Sequence, residues 1–383
     1  METKTISEIN EYEGTSINPL DTPDELFELY SVPSYDNQYP EIIKGSAIGS
    51  TKITVQENDV LICKINPRIN RVWIVKHNTS HRLLASSEWI VVRNSSINPR
   101  YLQWYFSSPA FRDKITSQVA GIGGSLTRAQ PKVVANYSVP IPPIQKQTEV
   151  ANSMDQIEHL ISLRKKQLQK LDDLVKARFV EMFGDPVSNP KAWPVRPLLD
   201  MGDCKNGMNF HYDDSGVELH CLGVGDFQNH SIIEDTSTLS MVSLNDLPSD
   251  EYMLRDDDIV FVRSNGNKAL VGRCVAVYPG DVPTTFSGFC IRYRKRDEGV
   301  VVPYLLRVLK TDSMRAKMAG RGANIQNLNQ QILGTLIIPV PPLALQERFA
   351  AFVTQVDKSK LSIQQGLEKL ETLKKTLMQQ YFG

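Results

Sequence analysis

The chain is expected to fold as an α+β protein: two α/β domains separated by a pair of long antiparallel coiled-coil-like helices, with an internal pseudo-two-fold repeat. Three observations predict this. First, a phrase occurs twice, as "VPIPPIQKQ" at 139–147 and "IPVPPLALQ" at 338–346. Second, residues 139–184 align without a gap on 338–383, with 13 of 46 pairs identical and both copies ending in Phe-Gly. A match of that length at one long offset marks a duplicated unit rather than a solenoid of short repeats. Third, apolar residues after each proline phrase recur at alternating steps of four and three, the spacing of a helix with one buried stripe.

In chain order, residues 1–138 form the first domain, 139–184 the central repeat helix, 185–337 the second domain and 338–383 the C-terminal repeat helix. The domains correspond around "DVLICKIN" (59–66) and "DIVFVRSN" (258–265), each a buried strand after an acidic turn. "RVWIVK" and "EWIVVR", then "GRCVAVY" and "FCIRYR", read as further strands. "YLQWYFSSPAFRDKITSQVA" and "YLLRVLKTDSMRAKMA" read as helices, broken or re-capped at Ser108-Pro109 and at Asp312. The glycine-rich stretches "AGIGGSLTR" (120–128) and "AGRGANIQN" (319–327) join these helices to the last strand. The first domain shows no counterpart of "WPVRPLLDMGDCKNG", which opens the second; it starts near "TKTISEIN".

The repeat helices are justified by their stripe. Ten positions from Val150 to Met182, and the ten matching ones from Phe349 to Tyr381, are apolar in eight of ten cases each. A helix over 145–182 is about 57 Å long at 1.5 Å per residue, too long to bury its stripe alone. Prolines lead into both helices, and Gly184 and Gly383 stand where a left-handed C-cap is expected. The first helix leaves the first domain for the second, so a helix returning from the second must run antiparallel to it. An intermolecular coiled coil is the alternative use of the same stripes.

Composition narrows the class. With 41% hydrophobic and 22% charged residues, a chain of 383 residues supports two or three domains with cores of their own. No apolar run is long enough to cross a membrane, and the acidic start "METKTISEINEYEG" is no secretory signal, which points to the cytoplasm. The five cysteines form no C-x-x-C and read as reduced core residues. Net charge is zero, yet residues 1–60 carry 3 basic and 12 acidic side chains and residues 61–138 carry 11 and 2. The order repeats, with 4 and 15 in 185–258 and 12 and 4 in 259–337. Each domain therefore has the charge for a basic face, unless folding mixes the halves.

Catalytic patterns are missing. There is no G-x-x-x-x-G-K-S/T phosphate loop and no N-P-P-Y/F stretch of the kind that grips a flipped adenine. "DDD" at 256–258 precedes a strand and reads as a solvated turn rather than a metal site. His211, His220 and Cys221 fit no zinc spacing. Binding chemistry does repeat. The glycine-rich loops bring Ser125, Thr127, Arg128 and Gln130 in the first domain, and Arg321, Asn324, Gln326 and Asn327 in the second. The matched strands lead into Lys64, Asn66, Arg68 and Arg71, and into Arg263, Asn265, Asn267 and Lys268. Arg, Asn and Gln can contact guanine and adenine edges in pairs of hydrogen bonds, while Lys, Ser and Thr can hold phosphates. The glycines equally serve to turn the chain.

The twin P-x-P-P-I/L-x-x-Q starts, the helices ending in Phe-Gly, the D-V/I-L/V strands and the glycine-rich loops together resemble the specificity subunit of type I restriction–modification systems, over essentially the whole chain. The resemblance implies two target recognition domains, each reading half of a bipartite double-stranded DNA site. It implies that the helices measure the unread spacer and dock two modification (methyltransferase) subunits, and that a restriction/translocase subunit completes the assembly. No catalytic residue, metal or cofactor is then expected in this chain; S-adenosylmethionine, ATP and magnesium belong to the partners. The alternative is a protein-interaction scaffold of the same architecture without DNA.

Overall fold

In the computed structural model, which describes residues 2–117, 119–120, 127–210, 215–227, 231–319 and 327–383, each proline phrase closes a two-stranded ribbon and opens a 40-residue helix. Ser138–Pro140 pairs antiparallel with Thr3–Thr5, and Ile337–Pro339 pairs with Val195–Pro197. The first domain therefore has an opening like that of the second. Ile6 and Ile9 are buried behind Thr3–Thr5 as Leu198 and Met201 are behind Val195–Pro197. Sequence comparison overlooks the match because "TKTISEI" and "VRPLLDM" share no identical residue and lie 192, not 199, apart.

The chain divides into two compact units: residues 1–166 with 364–383, and residues 167–363. Each long helix, Ile144–Phe183 and Leu343–Phe382, thus begins in one unit and ends in the other. In the first unit, Val60–Cys63 is flanked antiparallel by Val72–Ile74 and Trp89–Val92. Beside it, Leu26–Tyr30 pairs parallel with Arg82–Ala85 and antiparallel with Glu41–Lys44, inside a five-stranded sheet. In the second unit, Asp258–Val262 lies between Cys274–Val277 and Cys290–Lys295, and Val217–Leu222 pairs parallel with Thr284–Phe286 and antiparallel with Met241–Leu244. The two units share one plan. The helices Pro99–Phe106 and Pro109–Ser117 correspond to Val302–Leu309 and Asp312–Ala319, with breaks at the expected places.

The acidic turn is not solvated throughout. Asn58 and Asp257 take the left-handed conformation (φ 73° and 68°), which short polar side chains tolerate, and this carries Asp59 and Asp258 inward to zero exposure. Arg93 grips Asp59 through Nε at 2.7 Å and Nη2 at 2.8 Å; Arg294 grips Asp258 through the same two atoms at 2.8 Å each. The backbone N–H groups of Gln56 and Arg255 donate to the same carboxylates at 2.9 and 2.8 Å. These bonds raise the pKa of Arg93 and Arg294 against the opposing effect of burial. The third aspartate of "DDD" is therefore a buried structural anion, not part of an exposed turn.

The repeated glutamine of the proline phrase has a matching role. Gln147 is 2% exposed and Gln346 fully buried. Gln147 accepts from Asn98 N–H at 2.9 Å and donates to Pro142 O at 2.8 Å. Gln346 accepts from Val301 N–H at 3.1 Å and donates to Gly299 O and Pro341 O at 3.0 and 2.8 Å. Each glutamine ties the start of a long helix to the helix entry beside it. Gln346→Leu removes the buried hydrogen bond to the Pro341 carbonyl and the part-buried bonds with Val301 and Gly299, and is expected to destabilise by about 1–3 kcal/mol. Denaturant unfolding checks this, and a change under about 0.5 kcal/mol refutes the role.

Within each unit the two long helices run antiparallel. In the first unit Lys374 meets Glu158 at 2.5 Å and Lys165 meets Glu371 at 3.1 Å; in the second Lys360 meets Asp172 at 2.7 Å. The two lysines that interrupt the apolar stripe of the second helix are thus cross-helix ion-pair partners. The Phe-Gly ends dock in aromatic clusters. Phe183 lies 4.7 Å from the Tyr304 ring and 5.5 Å from Phe349; Phe382 lies 5.7 Å from Tyr101 and 6.0 Å from Tyr105. Gly184, at φ 78°, ends the first helix, and a Cβ there would stand 2.6 Å from the Pro190 ring.

Candidate nucleic-acid interface

The matched strand and the segment after the glycine-rich loop meet in both units. In the first unit Ala129 N–H donates to Lys64 O at 2.9 Å, Asn66 N–H donates to Thr127 O at 2.9 Å, and Ile65 bridges Arg128. In the second, Leu328 N–H donates to Arg263 O at 2.8 Å. Two stretches more than 60 residues apart in sequence are thereby held side by side, and Lys64, Asn66, Thr127, Arg128 and Gln130 fall in one neighbourhood. Asn327 likewise comes beside Arg263. Ser125, Arg321, Asn324 and Gln326, like His211, lie outside the described residues.

Local geometry sorts the candidates. Asn66 and Asn70 both take left-handed backbone (φ 47° and 50°) around the turn Pro67–Ile69, which leaves Arg68 exposed. Arg71 is largely buried, its Nε 4.0 Å from Asp36 Oδ1. Arg128 is exposed and pairs with Glu88 at 3.0 Å. A pair in solvent contributes at most about 1 kcal/mol, so Arg128 can exchange this partner for a ligand at little cost. In the second unit Asn265 Oδ1 accepts from Asn267 N–H at 2.8 Å and Asn267 Oδ1 accepts from Ala269 N–H at 3.1 Å. These two amides set the loop's shape, and Lys268, which follows them, is exposed. Arg263 is part-buried, with Nη1 3.5 Å from Gly288 O.

Two neighbours escape a search keyed on basic and amide side chains. Lys64 N–H donates to Glu88 O at 2.9 Å, and Arg263 N–H donates to Phe289 O at 2.7 Å, so Glu88 and Phe289 occupy matching places. Phe289 is 59% exposed, although the four residues that follow it, Cys290 to Tyr293, are buried. The sequence signal was an aromatic at the entry of that strand, opposite the strand end that leads into Arg263. One unit thus presents a carboxylate–guanidinium pair at its tip and the other an open aromatic ring beside an arginine. Among the described residues no cluster of His, Cys, Asp and Glu could hold a metal ion. All five cysteines are free, and burial pushes the thiols of Cys204 and Cys221 up to about 12. No helix among the described residues is long and apolar enough to cross a membrane.

The family comparison likewise finds one domain twice in this chain. The type I restriction modification DNA specificity domain matches residues 1–173 and again 190–374. The chain belongs to this family. Curated relatives include the type I restriction enzyme MjaVIII specificity subunit of Methanocaldococcus jannaschii, 22% identical over 86% of this chain and 80% of its own length. The StySPI specificity subunit of Salmonella potsdam is 22% identical over 75% of this chain, which spans 65% of that relative. The EcoKI specificity subunit of Escherichia coli K12 is 25% identical over 49% of this chain and 42% of its own. Among solved structures, one from a study of assembly and conformational transition in the type I system aligns with TM-score 0.62 at 16% identity, covering all of this chain and 97% of that one. The type I S subunit from M. genitalium aligns with TM-score 0.56 at 12% identity, over 98% and 94% of the two chains. These structures share the fold of this specificity-family chain.

Proposed function

We propose that this chain is the DNA-reading subunit of a type I restriction–modification complex, recognising a bipartite duplex with one half-site per target recognition domain. The observation that carries the reading is the doubled frame: the same strand-to-loop hydrogen bond in each unit, Ala129 to Lys64 and Leu328 to Arg263, with different side chains around it. A duplicated scaffold with unlike tips is suited to reading two unlike sequences. Phosphate contacts from the basic half of each domain supply most of the affinity, and the tips supply discrimination. The chain itself is non-catalytic. Two modification subunits and a restriction/translocase subunit assemble on it, and S-adenosylmethionine, ATP and magnesium bind to them, in the cytoplasm.

The test is half-site resolution. With the modification partner present, Arg128→Ala is expected to reduce discrimination at one half-site by about 1–3 kcal/mol, the range of a good base contact. Phe289→Ala removes an apolar surface of the kind that contacts a thymine methyl and is expected to act on the other half-site alone. Sequencing of methylated adenines after reaction with each variant reads both effects. Equal weakening at both half-sites refutes one half-site per domain, and binding indifferent to sequence supports the protein scaffold without DNA reading instead.

A further inference from the structure

The internal repeat lets each unit serve as a reference for the other, and one place departs from it. On the helices Pro99–Phe106 and Val302–Leu309, Tyr101 matches Tyr304. Both are buried and both donate their hydroxyl to the repeated proline carbonyl, Pro140 O at 2.9 Å and Pro339 O at 2.8 Å. Three residues on, Trp104 matches Arg307. Trp104 is 8% exposed, donates Nε1–H to Asp155 Oδ1 at 2.7 Å, and lies under Lys374 Nζ, 5.5 Å from the ring centroid. Arg307 has no such fit: its Nε is buried without a hydrogen-bond partner.

Beside Arg307 the second unit has a cavity of about 580 Å³, within the usual range of small-molecule sites. Its wall carries Lys176, Arg273, Arg307, Lys310, Arg315 and Lys360. Asp172 is the acidic side chain among the described lining residues, and Lys360 already pairs with it at 2.7 Å. The first unit has Ser107 where the second has Lys310. Burial lowers the pKa of both Arg307 and Lys310, with partial compensation from Asp172 at both and from Asp312 at Arg307. Lys360 is also 3.8 Å from Asp357, so the nearby carboxylates gather on one of the six cations. Cations that outnumber their counter-charges in a recess are unfavourable unless an anion enters. An adjoining recess shares Arg307, Lys310 and Lys360 and adds the apolar side chains of Val175, Ile232, Leu306 and Val353 together with Asp357. None of the described candidate base-reading residues lines the cavity.

We propose that this cavity is a phosphate-binding site, taking inorganic phosphate or the phosphate group of a larger molecule between Arg307 and Lys310. Guanidinium groups match phosphate oxygens in pairs, and the apolar side chains of the adjoining recess accept the organic part of an ester. Phosphate is titrated into the full chain at constant ionic strength and followed by calorimetry, with chloride as the blank. Saturable binding is expected for the native chain. Arg307→Trp, which imports the first unit's solution, and Lys310→Ser are each expected to lower the affinity at least tenfold. Arg112→Ala, at the first unit's counterpart of Arg315, is expected to leave it unchanged. No saturable binding, or binding undiminished in both second-unit variants, overturns the proposal. A second arm adds sheared duplex DNA to the phosphate-loaded chain. Release of phosphate assigns the site to the DNA backbone and retention assigns it to a free ligand, and either result keeps it as a phosphate site.

Discussion

Replacing Phe183 by alanine is expected to destabilise the second unit by about 3–5 kcal/mol, the range for deleting a buried phenyl ring. Phe183 is 3% exposed and packs on Phe179, Tyr304 and Phe349 at ring separations of 5.2, 4.7 and 5.5 Å. Such aromatic pairs add about 0.5–1.5 kcal/mol beyond the area they bury, so little can relax into the gap. The carbonyl of Phe183 also accepts from Trp193 Nε1–H at 3.1 Å, which ties the helix end to the chain entering the next sheet. The effect is expected to be local. Hydrogen exchange should accelerate in peptides from 175–200 and 300–310, and less elsewhere. Phe382→Ala, the repeat partner, removes a ring with Tyr101, Tyr105 and Tyr381 as neighbours at 5.7, 6.0 and 6.2 Å. Its looser contacts predict a smaller loss. Equal exchange in the native and Phe183→Ala chains refutes a docking role for the Phe-Gly end.

The repeat also explains which parts of the fold were legible in the sequence. The long helices were, because a stripe held over ten turns leaves few alternatives, and their ends at Phe183 and Phe382 fall within a residue of the expected ones. The strand at Val60–Cys63 was, because its match at Ile259–Val262 keeps the 199-residue offset. The second sheet was not. Leu26–Tyr30 and Val217–Leu222 play the same part, but insertions have shifted their offset and no residue pattern links them. Asp258 was misread for a related reason. Three carboxylates in a row look solvated, and the arginine that draws the third inward lies 36 residues away. At the interface, the backbone frame could be foreseen from the glycines and the strand. Glu88 and Phe289 could not, because their role comes from the strand end they face and not from their own chemistry.

Asp258→Ala is expected to cost about 3–5 kcal/mol, because removing one member of a buried ion pair strands the other. Here it strands more than one. Arg294 loses both of its hydrogen bonds to the carboxylate, the Arg255 N–H loses its acceptor, and Arg292, 2% exposed, loses a carboxylate 4.0 Å away. Arg292 keeps Asp203 at 3.0 Å, but its Nε and Nη1 already have no hydrogen-bond partner. The first unit supplies the comparison. Asp59 is held by Arg93 in the same way, and the place of Arg292 is taken by Val91. Asp59→Ala therefore strands one guanidinium, itself able to reach solvent, and is expected to cost less. The decisive variant borrows the first unit's arrangement: Arg292→Val in the Asp258→Ala background removes the second buried charge and is expected to recover part of the loss. Denaturant midpoints of the single and double variants give the coupling directly. Strictly additive losses would mean that Arg292 does not depend on Asp258, and that the carboxylate serves Arg294 alone.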